Sequence, residues 1–196
     1  RSQAVRCARC EVPRVVSERF NAAGFPAWIH KLRAEWDDAV MSRAIPRGWA
    51  TAAADRNRSI VLIGGTGRIK SWGIAAMGLD WVKARRGCRW VNWRAHLLAM
   101  REAGRVNEAM APVVARMVAT PLLLVDEVTD RATGASVEMA EMVIGARLEL
   151  DRPVALTSNL TVTELQKTLG DRVWSRLAGG GEIVRLEGRD LRQRAE

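Results

Sequence analysis

The sequence predicts an α/β fold built on a mostly parallel five-stranded sheet. Short apolar runs typical of buried strands alternate along the chain with longer segments whose apolar residues recur at helical spacing. This alternation favours parallel strands, because each helix carries the chain back to the start of the next strand. The 196 residues and the 48% hydrophobic content suffice for one such domain with a small appendage.

The first part of this core has the clearest local signals. The apolar strand Ser59–Ile63 leads through a glycine-rich turn into a helix from about Lys70 to Arg86, which Gly87 is expected to end. The other predicted strands and helices, in chain order, are Cys88–Asn92 (strand), about Arg94–Ala103 and Val106–Val118 (helices), Leu122–Val125 (strand), about Ser136–Leu150 (helix), Val154–Thr157 (strand) and Ile183–Leu186 (strand).

Two later helices have recognisable faces or caps. The helix at about Ser136–Leu150 has an apolar face at helical spacing. Thr161 and Glu164 form a capping-box pair that opens a further helix after the fourth strand. The residues of the apolar face are Val137, Ala140, Val143, Ile144 and Leu148.

The regular alternation begins at Ser59, and the residues before it are mixed in character. We therefore expect an N-terminal adaptor or linker region over residues 1–45 and the core over residues 46–196. No apolar run approaches the roughly 18 residues of a membrane span, and no signal peptide is visible. Three cysteines do not make a secreted disulfide framework. These features predict a cytoplasmic protein with no membrane partner.

The glycine-rich turn has the pattern of a phosphate-binding loop. Its residues GGTGRIKS follow G-x-x-x-x-G-K-[ST] at every position except one. Gly65 and Gly67 allow the positive φ angles that a cradle of backbone N–H groups needs. Lys70 can reach the β- and γ-phosphates of ATP, and Ser71 can place its hydroxyl on Mg²⁺. The residues expected to hold the nucleotide are Gly64, Gly65, Thr66, Gly67, Arg68, Ile69, Lys70, Ser71 and Trp72.

Ile69 is the one departure from this pattern, because it stands where the last glycine belongs. Its β-branched side chain must fit against the bound phosphates, and strain of about 1–3 kcal/mol follows if its backbone occupies a disfavoured region. The polar residues that such a site needs are all present in the sequence: Lys70, Ser71, Asp126, Glu127 and Asn159. We therefore expect weakened ATP/Mg²⁺ binding and slow hydrolysis, suited to a switch.

Polar residues follow two of the predicted strands. Asp126 and Glu127 stand at the carboxyl end of Leu122–Val125, where Asp126 would hold the Mg²⁺ shell and Glu127 would orient and deprotonate the attacking water. Asn159 follows the next strand and would contact the γ-phosphate or the water. The alternatives are a solvated acidic turn and an asparagine that merely starts a turn.

The charge balance favours a polyanionic partner. Lysine and arginine number 31 against 22 acidic residues, which gives a net charge of +9. Trp90 and Trp93 lie near several arginines, and aromatic side chains among arginines can stack on single-stranded bases. Packing in the core is the commoner role of such tryptophans. The richness in arginine has a second explanation in genomic base composition. The arginines concerned are Arg85, Arg86, Arg89 and Arg94.

Four segments together resemble a known family. The segments GGTGRIKS, LLLVDE, ALTSNLTVTEL and GDRVWSRL resemble the AAA+ ATPases of the DnaC helicase-loader family, including phage relatives, and the similar IstB transposition ATPases. The resemblance covers about Phe20–Arg192. It implies a P-loop NTPase fold, a three-layer α/β/α sandwich without a full helical lid. It also implies an ATPase that uses Mg²⁺, binds single-stranded DNA and delivers a replicative hexameric helicase in DNA replication.

The same resemblance assigns a role to two arginines near the end of the chain. In this family the segment that matches Asp171–Leu177 carries arginines that reach the nucleotide of a neighbouring subunit. Arg172 and Arg176 match that motif, and their spacing of four residues puts both on one helix face. Arg176 resembles the arginine finger, which implies self-association, and the alternative is a pair of solvated helix arginines.

The N-terminal cysteines match the family only in part. Family members often carry a zinc-binding module before the core, and Cys7 and Cys10 have the spacing of a zinc knuckle. Tetrahedral Zn²⁺ needs four ligands, and neither Cys88 in a predicted core strand nor the distant His30 completes the set. We therefore favour an absence of zinc in this chain.

Three interpretations of function follow. The first is a replicative helicase loader that binds ATP and single-stranded DNA. The second is a transposition ATPase of the IstB kind, with a transposase as its partner. The third is a DNA-binding adaptor whose degenerate loop no longer binds or hydrolyses nucleotide.

Overall fold

The computed structural model describes residues 18–29, 58–67, 70–102, 110–128 and 133–187. Arg68 and Ile69 of the phosphate loop lie outside the described residues, as do Cys7 and Cys10. The predictions made for these four residues therefore stay predictions. The prediction that the helical lid is incomplete also stays open.

Within the described residues, helices and strands follow the order expected from the sequence. Residues 18–22 and 27–29 are helical and precede the sheet. Among all the residues that the structure describes, no helix is long and apolar enough to cross a membrane. The elements that follow are β1 (Ile60–Ile63), α1 (Lys70–Lys83), β2 (Cys88–Asn92), α2 (Trp93–Glu102), α3 (Ala111–Ala119), β3 (Leu122–Val128), α4 (Gly134–Ala140), a π-helical segment (Glu141–Gly145), α5 (Ala146–Glu149), β4 (Val154–Ser158), α6 (Val162–Leu169), α7 (Asp171–Gly180) and β5 (Glu182–Arg185).

The five strands form one sheet in the order β2-β3-β4-β1-β5, and each neighbouring pair runs parallel. This confirms the predicted sheet. Because the strands are parallel, all of their carboxyl ends lie along one edge of the sheet. Ligands bind at this edge in open α/β sheets.

Helices pack on both faces of the sheet, which confirms the three-layer sandwich. Val61 and Ile63 belong to a buried cluster that also contains residues of α2, α3, α4, α6 and α7. Ile60 and Leu62, which point to the opposite face, belong to a second cluster with residues of α1 and of the segment 20–29. The alternation along β1 follows from the two-residue period of a strand.

Part of the predicted N-terminal region packs on this second face. Phe20, Ala23, Phe25 and Ile29 are all buried in the second cluster. The backbone N–H of Trp90 donates to the carbonyl oxygen of Ala23 at 2.7 Å, which ties this segment to β2. The boundary between residues 45 and 46 stays a prediction.

Helix α1 ends earlier than the sequence predicts. Its last residue is Lys83, and the chain leaves the helix through Arg85, which has a φ of 59°. The N–H of Arg86 donates to the carbonyl oxygen of Trp81 at 2.8 Å, as in a helix end closed by a left-handed residue. Arg85 therefore ends the helix as its left-handed residue, at the place where the sequence predicted Gly87.

Two other boundaries also differ from the prediction. β3 runs on to Val128, beyond the predicted end at Val125, because the acidic residues continue the strand in irregular form. The described helix α3 begins at Ala111, after Met110, whereas the prediction began at Val106 in residues outside the described ranges. Pro112 fits within its first turn, where a missing N–H is tolerated. The remaining predicted boundaries agree to within about two residues.

Arg147 on α5 joins α3 to β4 beneath the surface. Its side chain is fully buried. Its Nη1 donates to the carbonyl oxygens of Met117 and Thr120 at 2.7 and 2.6 Å, and its Nη2 donates to that of Pro153 at 2.7 Å. Burial, and secondly the charge of Arg152, lower the pKa of Arg147 to about 10, so that it remains protonated at neutral pH. The guanidinium thus satisfies carbonyls at the end of α3 that have no partner within the helix.

We predict that Arg147→Leu lowers the free energy of unfolding by about 3 kcal/mol or more, because several buried carbonyls lose their donor. Arg152→Leu is the matched control. Arg152 is half-buried and its Nη1 donates to the carbonyl oxygen of Val118 at 2.7 Å, so its loss should cost about 1 kcal/mol. Urea denaturation followed by circular dichroism measures both values. Equal effects of the two substitutions would contradict this role of Arg147.

Candidate nucleotide-binding site

The phosphate loop begins where β1 ends, at the carboxyl edge of the sheet. The N–H of Gly64 donates to the carbonyl oxygen of Ser158 at 3.2 Å, which joins the start of the loop to β4. A Cβ atom at Gly64 would lie 2.5 Å from the carbonyl oxygen of Leu186, so this position requires glycine. Gly67 has a φ of 76°, as predicted. Gly65 does not have a positive φ, so that part of the prediction is wrong.

Lys70, the first residue of α1, is turned back into the loop. Its side chain is 8% exposed. Its Nζ donates to the carbonyl oxygens of Gly64 and Gly65, at 2.7 Å in each case. The ammonium group is therefore held at the loop on the carboxyl edge of the sheet, where a phosphate-binding loop needs its charge.

Ser71 and Asp126 meet although 55 residues separate them in the sequence. The Ser71 hydroxyl donates to Oδ1 of Asp126 at 2.8 Å. A hydroxyl and a carboxylate are hard oxygen ligands, and Mg²⁺ commonly takes one or two protein ligands together with phosphate oxygens and waters. This pair of oxygens fits a Mg²⁺ site. The described residues contain no group of three or more His, Cys, Asp or Glu that could hold a metal ion by themselves.

A β-bulge places Asp126 and Glu127 side by side against β4. Val125 pairs with Leu156 and Val128 pairs with Ser158, so the two acidic residues both face Thr157. Such bulges redirect side chains and are common next to active sites. Because the bulge depends on the neighbouring strand, the apolar pattern of β3 alone did not predict it.

Glu127 has an unusual backbone conformation within this bulge. Its φ is 65°, a left-handed value that costs a residue other than glycine about 1–2 kcal/mol. Its N–H donates to the hydroxyl oxygen of Thr157 at 2.9 Å, and its side chain is exposed at the edge of the sheet. The conformation directs the carboxylate away from the core, where a water molecule can reach it.

Asn159 follows β4 directly and is exposed. The turn that carries it is held by Ser158, whose hydroxyl donates to the carbonyl oxygen of Val128 and accepts the N–H of Leu160 at 3.1 Å. Asn159 therefore lies at the carboxyl edge of the sheet, next to Ser158, whose carbonyl oxygen accepts the N–H of Gly64. Its contact with a phosphate or a water stays a prediction.

Arg172 and Arg176 lie on one exposed face of α7, as their spacing predicts, and both bind Glu149. Nη2 of Arg172 and Nη1 of Arg176 donate to Oε1 of Glu149 at 3.2 and 2.8 Å. The hydrogen bond from Arg176 is the main cause of a lowered pKa of Glu149. These contacts do not join the two arginines to Lys70, Ser71 or Asp126 of the same chain. Their predicted action on a neighbouring subunit stays a prediction.

The tryptophan and cysteine side chains that the sequence analysis considered pack among other side chains. Trp72 is half-buried, and its ring lies 5.9 Å from that of Trp28, measured between centroids. Trp90 and Trp93 are buried, which agrees with a role in the core and leaves no open face for a base. Burial raises the pKa of Cys88 to about 12, so this thiol is a poor metal ligand.

Sequence reasoning missed Thr157 and Ser158 as parts of the site. Both are buried, and their hydroxyls bond to the bulged end of β3. One available signal is the change from apolar to hydroxyl residues at the end of β4, next to a strand that ends in acid. That signal is weak, because threonine and serine are also common at strand ends that have no function.

The chain belongs to the family of IstB-like ATP binding proteins, whose pattern it matches over residues 9–196. This agrees with the resemblance stated for the phosphate loop, the acidic strand and the strand that follows it. No significant match is found among curated protein sequences.

Solved structures share the fold at low sequence identity. The DnaC helicase loader is 13% identical, with a TM-score of 0.61 over 71% of this chain and 86% of that chain. DnaI is 14% identical, with a TM-score of 0.58 over 97% and 87% of the two chains. The replication initiator DnaA bound to AMPPCP and single-stranded DNA is 19% identical, with a TM-score of 0.53 over 72% of this chain and 44% of that one. At these identities the likeness shows the AAA+ fold alone.

Proposed function

We propose that this protein is an ATP-dependent AAA+ helicase loader, which binds ATP with Mg²⁺ and single-stranded DNA and delivers a replicative helicase. The observation that carries the proposal is the hydrogen bond between Ser71 and Asp126. It brings the end of the phosphate loop and the end of the acidic strand to one place, as phosphoryl transfer requires.

In this proposal each polar residue of the carboxyl edge has one task. Lys70 binds the β- and γ-phosphates, while Ser71 and Asp126 would hold Mg²⁺, whose charge would offset that of the phosphates. Glu127 orients the attacking water and accepts its proton, and Asn159 contacts the γ-phosphate or that water. The left-handed backbone of Glu127 supports this assignment, since functional residues often hold such conformations.

A neighbouring subunit completes the proposed site. Arg176 inserts into the nucleotide site of the next subunit and offsets charge on the transferred phosphoryl group, with Arg172 beside it. Glu149 holds both guanidinium groups on the surface of α7 until then. An exposed ion pair of this kind is weak, so that a triphosphate can replace Glu149 at little cost.

The net charge of +9 and the structural likeness to loaders and initiators support DNA as a partner. The match to the IstB-like family supports a second candidate, a transposition ATPase with the same nucleotide chemistry and a transposase as partner. Both candidates need the same site, and they differ in the protein that they bind.

We predict that Lys70→Ala reduces affinity for a fluorescent ATP analogue to millimolar or weaker, because the phosphates lose their cation. Glu127→Gln should bind the analogue like wild type and hydrolyse ATP about 100-fold more slowly, because only proton transfer is lost. Lys83→Ala, at the exposed far end of α1, is the matched control for charge. Equilibrium titration, a hydrolysis assay and thermal melting give the three readouts. An unchanged titration for Lys70→Ala would remove Lys70 from the site.

We further predict that the protein, with ATP and Mg²⁺, is retained by an immobilised replicative helicase and not by an immobilised transposase. Lys70→Ala should reduce this retention, since assembly depends on nucleotide. Retention by the transposase alone would favour the transposition ATPase. Retention by neither, together with no nucleotide binding, would favour the adaptor interpretation.

A further inference from the structure

Thr157 is buried in β4, and its hydroxyl contacts both acidic residues of the site. We propose that Thr157 is a positioning residue for ATP hydrolysis, which fixes Asp126 through its side chain and Glu127 through its backbone. The inference rests on the proposed nucleotide chemistry. Thr157 touches neither phosphate nor water in this scheme and acts through its two neighbours on β3.

One hydroxyl group makes both contacts. The Thr157 hydroxyl donates to Oδ1 of Asp126 at 2.7 Å and accepts the N–H of Glu127 at 2.9 Å. The side chain is 2% exposed, so water does not replace these bonds. Donation and acceptance together fix the rotation of the hydroxyl group.

The β-bulge explains why a hydroxyl is needed at this position. Two residues of β3 face the single residue Thr157, which leaves one residue of the bulge outside the ladder. The N–H of Glu127 finds the Thr157 side chain as its partner and keeps its left-handed φ of 65°. If this partner were lost, Glu127 would relax toward an ordinary strand conformation, and its carboxylate would change direction.

The same hydroxyl also orients the carboxylate of Asp126. Oδ1 of Asp126 accepts bonds from Thr157 and from Ser71, so the group is held from β4 and from α1. With the bond from Thr157 removed, the carboxylate keeps the bond from Ser71 on α1 but loses its link to β4, so its orientation is less strictly fixed. We therefore expect Mg²⁺ to increase the affinity for nucleotide less than it does in the wild type, and the rate of hydrolysis to fall by a larger factor.

The neighbouring serine has a different role. The Ser158 hydroxyl bonds to the backbone of Val128 and Leu160, so it shapes the turn that carries Asn159. Thr157 is the residue of β4 whose side chain reaches the acidic pair. Its effect should therefore fall on Mg²⁺ dependence and on the chemical step.

The test compares Thr157→Val, which removes the hydroxyl at nearly the same shape, with Thr157→Ser, which keeps it. Thr168→Val is the matched control, because Thr168 is 1% exposed and its hydroxyl donates to the carbonyl oxygen of Glu164 within α6. Each protein is assayed for ATP affinity with Mg²⁺ and with EDTA, for single-turnover hydrolysis and for thermal melting. Amide hydrogen exchange at Glu127 is followed by NMR without nucleotide.

We expect Thr157→Val to hydrolyse ATP about 10–100-fold more slowly and to lose most of the Mg²⁺-dependent gain in affinity. Its affinity in EDTA should stay within about twofold of wild type, because Lys70 and the loop are intact. The Glu127 amide should exchange at least about tenfold faster, since its partner is gone. Thr157→Ser should restore hydrolysis to within about threefold of wild type, and Thr168→Val should leave all of these values unchanged.

The outcomes separate this inference from the proposed function. A wild-type protein that binds no ATP overturns both. An active wild type with an equally active Thr157→Val, or with Thr157→Ser as slow as Thr157→Val, overturns the role of Thr157 alone. If Thr157→Val does not fold, Thr157→Ala removes the same hydroxyl with a smaller side chain. An unprotected Glu127 amide in the wild type would also contradict the inference.

Discussion

The hydrogen bond from Ser71 to Asp126 is the contact on which the site depends. It joins the first turn of α1 to the end of β3, and it forms because β1 and β3 run in the same direction and end at one edge of the sheet. The Thr157 hydroxyl also donates to Asp126, which connects β4 to the same carboxylate. The N–H of Gly64 donates to the carbonyl oxygen of Ser158, so the phosphate loop is bonded to the end of β4 as well. Hydrogen bonds thus connect the phosphate loop, the acidic end of β3 and the hydroxyl-bearing end of β4. The chemistry proposed for ATP follows from this arrangement.

The sequence of strands and helices along the chain and the meeting of the loop with the acidic strand were predictable, because both follow from apolar runs and short motifs. The bulge in β3 was not, since it depends on which residue of β4 lies opposite. For the same reason Thr157 read as an ordinary strand residue. The end of α1 was assigned to Gly87 because glycine is the common left-handed residue, whereas Arg85 adopts that conformation here.

Arginine has two physical roles in this chain that composition alone does not separate. Arg147 is fully buried and binds carbonyl groups at the end of α3 and at the start of β4, which stabilises the layer of helices that includes α7. Arg176 is exposed on α7 and bound to Glu149, and its action on a neighbouring subunit is a proposal. A count of positive charge predicts a polyanionic partner in either case. The structure shows that the net charge of +9 includes groups which serve the fold.

The central claim is that this loop holds a triphosphate although Ile69, which lies outside the described residues, replaces its last glycine. The direct measurement is an equilibrium titration of wild type and Ile69→Gly with an ATP analogue and Mg²⁺. We predict measurable binding by the wild type and about tenfold tighter binding by Ile69→Gly, as relief of about 1.4 kcal/mol of strain would give. Affinity no better than millimolar for both proteins would contradict the account.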